Sequence, residues 1–359
     1  MIQRKIDNQV CLLTFDRPDS GANIFDAATL QELNEHVDFI EKESSLRGLI
    51  IASAKKSIFI AGADLKTLLR QAQTGELRDF IAQGQRVFNR IAALKMPSVA
   101  AIHGAAAGGG YEVTLACDYR VGSDDPGTRI GLPETTLGLV PAWGGCTRLP
   151  RLIGAEKAAE VILKGKLYSA KDALKLGLVD EVGPRDQLLD LAKKKLSAGK
   201  RSAAGKPSPY PLSEREADSP QRAGEGKRTG NAAPARALEV IKKTLTDSID
   251  ESLKRELDAI VDLGKTESTQ NLIRNFFLAE KYKKGTSRGP VKKVAHAAVI
   301  GAGVMGSGTA QWLSSRGVAV ILRDISRELV DRGLANIEKI YSDAVKRHRR
   351  VIDEPRGAA

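Results

Sequence analysis

The run His103-Gly-Ala-Ala-Ala-Gly-Gly-Gly-Tyr-Glu112 decides how the first half of this chain is read. Ser98–His103 has the composition of a strand, and Gly104 breaks it. From Gly110 to Cys117 the sequence is apolar enough for a short buried helix. Three consecutive glycines at such a junction free the backbone conformationally and let another group approach the main chain closely. Glu112 is the one carboxylate in the low-charge stretch Val99–Ala116. Two more glycine-bearing stretches flank it, both at predicted strand ends. Upstream lies Ile60-Ala-Gly-Ala-Asp-Leu65. Downstream lies Ile130-Gly-Leu-Pro-Glu134, which continues to Leu139-Val-Pro-Ala-Trp-Gly-Gly145.

Around these stretches the pattern is α/β. Val10–Phe15 and Arg47–Ser53 read as strands, and so does Tyr119–Gly122. Ala27–Lys42 places Leu30, Leu33, Val37 and Ile40 at helical spacing. Glu76–Leu94, Ala155–Leu163 and Ala170–Leu176 read as helices, with Gly177 at the C′ position of the last. Residues 196–235 hold Gly, Ser, Pro, Ala and charge, and predict a flexible connection. Ala237–Leu263 and Thr266–Lys283 then predict two helices. A basic linker, Lys283–Lys293, precedes a new strand at Val294. The expected organisation is a core over 1–195, a linker-like segment over 196–235, closing helices over 236–285 and a last segment over 294–359.

Composition narrows the classes. The chain has 359 residues, 42% hydrophobic and 28% charged, which is ordinary for a globular protein. Cys11, Cys117 and Cys146 lie far apart, which excludes a disulfide scaffold and a structural zinc site and suits a reducing, cytoplasmic setting. The four histidines are scattered, so no metal site is expected. No signal peptide and no membrane span are expected either. The net charge of +12 is uneven: 186–236 carries +5 and 281–359 carries +9. Neither segment looks like a core, so solvated linkers and helix faces account for the excess.

The three glycine-bearing stretches, in this order and spacing, resemble the crotonase (enoyl-CoA hydratase/isomerase) superfamily over about residues 1–185. Residues 237–283 resemble the helices that close that domain. The resemblance implies a spiral of ββα turns and an acyl-CoA thioester substrate. It also implies an oxyanion hole made by the amides of Ala63 and Gly109, with Ala61, Ala63, Asp64 and Leu65 lining the thioester groove. Hydrating a 2-enoyl thioester puts enolate-like charge on the thioester oxygen, and preorganised N–H donors stabilise it. Water must also be activated at C3 and a proton delivered at C2, which two carboxyl groups flanking one water can do. Glu112 and Glu134 occupy the positions where the family's hydratases carry glutamates. Ala142 stands where relatives often have Gly, and its methyl is expected to narrow the acyl pocket. No cofactor is needed for this step.

A second constellation begins at Val294. Gly301-Ala-Gly-Val-Met-Gly306 lies between a predicted strand and helix, and the next strand (Val318–Leu322) leads to Asp324. This is the dinucleotide fingerprint in its β-α-β setting. Gly301 makes the turn, Gly303 admits a diphosphate, Gly306 packs helix on strand, and Asp324 accepts from ribose hydroxyls. The stretch resembles the start of 3-hydroxyacyl-CoA dehydrogenases, which implies NAD. Crotonase followed by this domain is the layout of the multifunctional fatty-acid oxidation α-subunit family, in which a thiolase β subunit is the partner; stand-alone crotonases form homo-oligomers. Only an incomplete Rossmann βαβα segment is present. Two parallel strands cannot bury both faces, so weak or no NAD binding is expected. From His348 onward the sequence is expected to stop following that family's helix and gains no apolar face, and a truncated or frameshifted product is expected.

Other readings stay open on sequence. The same glutamates could shift a 3-enoyl double bond to the 2 position, and an incomplete chain could be an inactive scaffold. A nucleic-acid binder would use the basic segments, but aromatics are 4% and no binding module is visible, so no nucleic-acid partner is expected.

Overall fold

The computed structural model describes residues 1–201, 230–283 and 294–353, the last eight of these as backbone only. The chain divides into two compact units, Met1–Lys283 and Lys284–Ala359.

In the first unit the strands are β1 (Ile2–Asp7), β2 (Val10–Phe15), β3 (Gly48–Ser53), β4 (Ile58–Ile60), β5 (Ser98–Ile102), β6 (Ala105–Ala107), β7 (Tyr119–Ser123), β8 (Arg129–Gly131) and β9 (Glu181–Gly183). A six-stranded sheet has the order β1-β2-β3-β5-β7-β9, and a three-stranded sheet has the order β4-β6-β8. Each turn of chain lays one strand in the large sheet and the next in the small one. Helices Leu65–Thr74, Leu77–Ala93 and Gly109–Ala116 complete the turns. This is the ββα spiral. All the pairings except the β1–β2 hairpin are parallel. β3 and β5 are buried at every residue, as strands covered on both faces must be.

The main core joins the large sheet's inner face to helix Ala27–Lys42 and to the helices of the spiral. The outer face is covered by helix Leu188–Leu196, whose Leu188, Ala192 and Leu196 pack on Ile50, Val99 and Val121. The reading of 186–236 as a segment without core character is therefore corrected for its start. Three basic residues in a row, Lys193–Lys195, mask a short apolar stripe. The proposed linker 196–235 begins inside this helix and ends inside another, Ala233–Thr244. Its middle, 202–229, lies outside the described residues, as does 284–293 of the basic linker.

The single helix expected over 237–263 is two, Ala233–Thr244 and Ile249–Gly264. Ser248 interrupts it with a capping box: its hydroxyl accepts from the Glu251 N–H while the Glu251 carboxylate accepts from the Ser248 N–H. The apolar periodicity runs through the break, which is why sequence spacing conceals it.

In the second unit β10 (His296–Ile300) and β11 (Ala319–Arg323) pair in parallel, with helix Val304–Ser314 between them and helix Arg327–Asp353 after them.

Candidate active site

The site is built where β4 and β6 hand the chain to helices. Ala63 forms an isolated parallel bridge with Phe25. That bridge uses the neighbours: Phe25 N–H donates to the Gly62 carbonyl (2.8 Å), and Asp64 N–H donates to the Phe25 carbonyl (2.9 Å). The Ala63 N–H is left facing the other way and has no acceptor among the described residues. Gly109 opens helix Gly109–Ala116, so its N–H is also unsatisfied. The two amides are neighbours: a Cβ added to Gly109 would lie 3.7 Å from the Ala63 nitrogen.

Glu112 sits one turn into that helix and is 2% exposed. Its Oε1 accepts from the N–H groups of Trp143 and Gly145, both at 2.8 Å. Burial pushes its carboxyl up to about 7, against the pull of those two donors and of Arg148. Glu134 begins the short 3₁₀ turn Glu134–Leu137. Its carboxyl lies over Gly108, where an added Cβ would come within 2.8 Å of Oε1. Gly108 has φ +55° and ψ −129°, so glycine is required there twice over. Glu134 Oε2 is closed off from solvent and has no hydrogen-bond partner. Burial holds this carboxyl well above the usual carboxylate range, and the charges of Glu112 and Glu256 add to the effect.

Ala61, Ala63, Leu65, Gly109, Glu112 and Glu134 line one cavity of about 290 Å³. Its apolar wall comes from residues such as Leu68, Ile81, Ala142, Trp143, Ile260 and Phe276. The Trp143 ring meets Phe25, Phe80 and Phe88 edge-on at 5.4–5.7 Å, which fixes that wall. Asp64 is not brought into this lining. Its carboxylate caps helix Leu65–Thr74, accepting from the Lys66 and Thr67 N–H groups at 3.3 Å.

Sequence reasoning passed over a third carboxyl. Glu256, on helix Ile249–Gly264, is fully buried and accepts from the Gly144 N–H at 2.8 Å. Burial and the nearby Glu112 push it up to about 8. The available signal was its place among Leu253, Leu257 and Ile260 on an apolar helix face. A carboxylate at such a position must find partners or stay protonated.

In the second unit a Cβ on Gly306 would lie 1.7 Å from the Gly301 carbonyl oxygen, whereas Gly303 has open space around it. Helix Val304–Ser314 thus packs tightly on the turn while the turn itself stays approachable. Asp324 at the end of β11 accepts from the Ala302 N–H at 2.6 Å, so strand end and glycine turn are tied together.

The family model for enoyl-CoA hydratase/isomerase matches residues 5–204, more than half of the chain and all of the spiral. The chain belongs to the enoyl-CoA hydratase/isomerase family. Outside that domain, residues 296–357 match the 3-hydroxyacyl-CoA dehydrogenase NAD binding domain. This match runs past His348, and helix Arg327–Asp353 continues through it, so the expectation that the sequence departs from the family there is corrected. Ion pairs between residues four apart, Arg327–Asp331 and Glu328–Arg332, support the helix from its polar side.

Among curated relatives, a fatty acid oxidation complex subunit alpha from Shewanella baltica is 36% identical over 356 residues, covering 95% of this chain and 50% of that protein. The chain therefore spans about half the length of the curated relatives it matches. A solved enoyl-CoA hydratase from Bacillus anthracis is 28% identical, with TM-score 0.51, covering 77% of this chain and 96% of that one. A carnitinyl-CoA dehydratase from Mycobacterium thermoresistibile shares the fold at 21% identity, with TM-score 0.62, over 81% of this chain and 94% of that one. In this enoyl-CoA hydratase/isomerase domain no group of metal-ligating side chains and no helix long and apolar enough to cross a membrane occurs among the described residues.

Proposed function

We propose that this chain hydrates trans-2-enoyl-CoA to 3-hydroxyacyl-CoA. The observation that carries the reading is one apolar cavity holding two unpaired amides, Ala63 and Gly109, beside two carboxyls in unequal surroundings. Glu112 receives two N–H bonds, which favour its ionised form; Glu134 receives none from another residue and faces the Glu112 charge, which favours its neutral form. Glu112 is then the base that takes a proton from water as its oxygen bonds to C3. Glu134 is the acid that delivers a proton to C2. The amides hold the negative charge that collects on the thioester oxygen between these events.

The second unit supports an NAD site only in outline. The open space at Gly303 suits a diphosphate, and Gly301, Gly303, Gly306 and Asp324 would hold the cofactor's ADP half. Bound NAD would supply hydride acceptance. The sheet here is two strands with Ile300 and Ile321 exposed, which supports weak binding. We further infer a cytoplasmic subunit of a fatty-acid oxidation complex, the assembly named for the relatives, with a thiolase β subunit as partner.

The test is loss of the enoyl thioester absorbance on adding crotonyl-CoA, with 3-hydroxybutyryl-CoA identified as product. Conversion of a 3-enoyl to a 2-enoyl thioester without hydration would favour the isomerase reading instead. No turnover of either substrate by folded protein would overturn both.

A further inference from the structure

The turn that holds Glu112 is itself held from the closing helix Ile249–Gly264. Four consecutive residues are gripped from two sides. Gln85 Nε2 donates to the Ala142 carbonyl and to the Leu253 carbonyl, both at 2.8 Å, tying the turn to that helix. Trp143 and Gly145 N–H donate to Glu112. The Gly144 N–H between them points the other way, to Glu256 Oε2. Gly144 has φ +114°, which its lack of a Cβ allows and which lets its N–H point away from those of its neighbours. Glu256 Oε1 is buried without a well-formed hydrogen bond, and the hydroxyl and N–H of Thr147, in the first turn of helix Gly145–Ile153, also face the carboxyl and favour its ionised form.

We propose that Glu256 is a positioning residue for Glu112: from the closing helix it fixes the Ala142–Gly145 turn, and so aims the two amides that hold the Glu112 carboxyl. The groups facing Glu256 are Glu112 across the turn, Arg148, Arg151 and Cys146 on helix Gly145–Ile153, and Glu134 on its 3₁₀ turn. Both carboxyls lie in the field of the buried Arg148, and the Glu112 charge acts directly on Glu256.

The inference rests on the hydratase reading only for its kinetic arm, so the test has a second arm free of turnover. In the full chain, the Glu112 ionisation midpoint is read by infrared difference titration against Glu112→Gln, and crotonyl-CoA hydration is followed in parallel. Glu256→Ala releases the Gly144 N–H. The amides of Trp143 and Gly145 then loosen, and loss of donors to the ionised form moves the Glu112 midpoint upward from about 7. We expect kcat to fall by about 10- to 100-fold, with KM changed by about twofold at most. Glu256→Gln keeps an acceptor for Gly144 and is expected to restore kcat and midpoint close to wild type. A folded Glu256→Ala protein with unchanged midpoint overturns the proposal, whatever happens to kcat. If that variant does not fold, Glu256→Leu, which keeps side-chain bulk but offers Gly144 no acceptor, takes its place with the same expected rise; an unmoved midpoint there overturns the proposal too. A wild-type protein that titrates normally but does not hydrate crotonyl-CoA removes the hydratase reading and leaves the midpoint shift to decide the role of Glu256.

Discussion

The chain contains two glycine-rich turns at strand-to-helix junctions, and their surroundings differ. At Gly108–Gly110 every missing side chain is already matched by something else: Glu134 Oε1 at Gly108, the Trp143 ring at Gly109 and the Ile60 carbonyl at Gly110, all within 2.8 Å of where a Cβ would stand. At Gly301–Gly306 only Gly306 is closed in, and Gly301 and Gly303 face empty space. The first turn is enclosed by a second sheet, a tryptophan wall and the closing helices. The second lies on a two-stranded sheet, with helix Arg327–Asp353 against Ala302 and Leu322 but no layer over Gly301 and Gly303 among the described residues. A motif therefore marks where a backbone can approach a ligand; whether a cavity exists there depends on the layers around it.

The sharpest way to break this comparison is at the carboxyls. Glu112→Gln and Glu134→Gln should each lower kcat for crotonyl-CoA by about 10²- to 10⁴-fold with an unchanged circular dichroism spectrum. Retained turnover in either would mean that the enclosed turn is not the reacting centre. Next in size is Gly110→Ala, whose methyl would fall 1.9 Å from the Ile60 carbonyl oxygen. It should destabilise the first unit by about 1–3 kcal/mol or more in denaturant titration. The matching change at the open turn, Gly303→Ala, should stay within about 0.5 kcal/mol, because nothing lies within 4 Å.

The pH dependence sharpens the same contrast. Glu112 is raised to about 7 and Glu256 to about 8 from an ordinary 4.5. Their protonated forms favour the fold; this contribution is complete below pH 4.5 and is lost as pH rises through 7 and 8. Thermal unfolding of the first unit should therefore occur at lower temperature at pH 8.5 than at pH 5, and Glu112→Gln should flatten that slope. An equal slope in the variant would show that Glu112 is not buried as a charge. The smallest effect is expected for NAD: calorimetric titration should show weak binding or none, and a micromolar dissociation constant would mean that the open turn already suffices.

Local sequence carried much of this protein. Helix Ala27–Lys42 was readable from the spacing of Leu30, Leu33, Val37 and Ile40, all of which are buried. Gly177 stops helix Ala170–Leu176 in the left-handed conformation that its identity suggests. Glu112, Glu134, Ala63 and Gly109 were singled out through the family resemblance of their glycine-bearing stretches, and the structure brings all four to one cavity. Short strands such as β4, β6 and β8 were not legible, since three residues carry too little periodicity to stand out.

The sequence by itself determined which chemical groups are available and where the backbone turns, because propensity, capping and glycine placement act within a few residues. Only the tertiary structure decided what those groups are. It set Gly109 beside Ala63 and laid the Glu134 carboxyl over Gly108. It also brought Glu256, 144 positions along the chain from Glu112, to the far side of the same turn. Those approaches unite segments far apart in the chain, and burial in the shared cavity, rather than any local pattern, sets the protonation of the carboxyls within it.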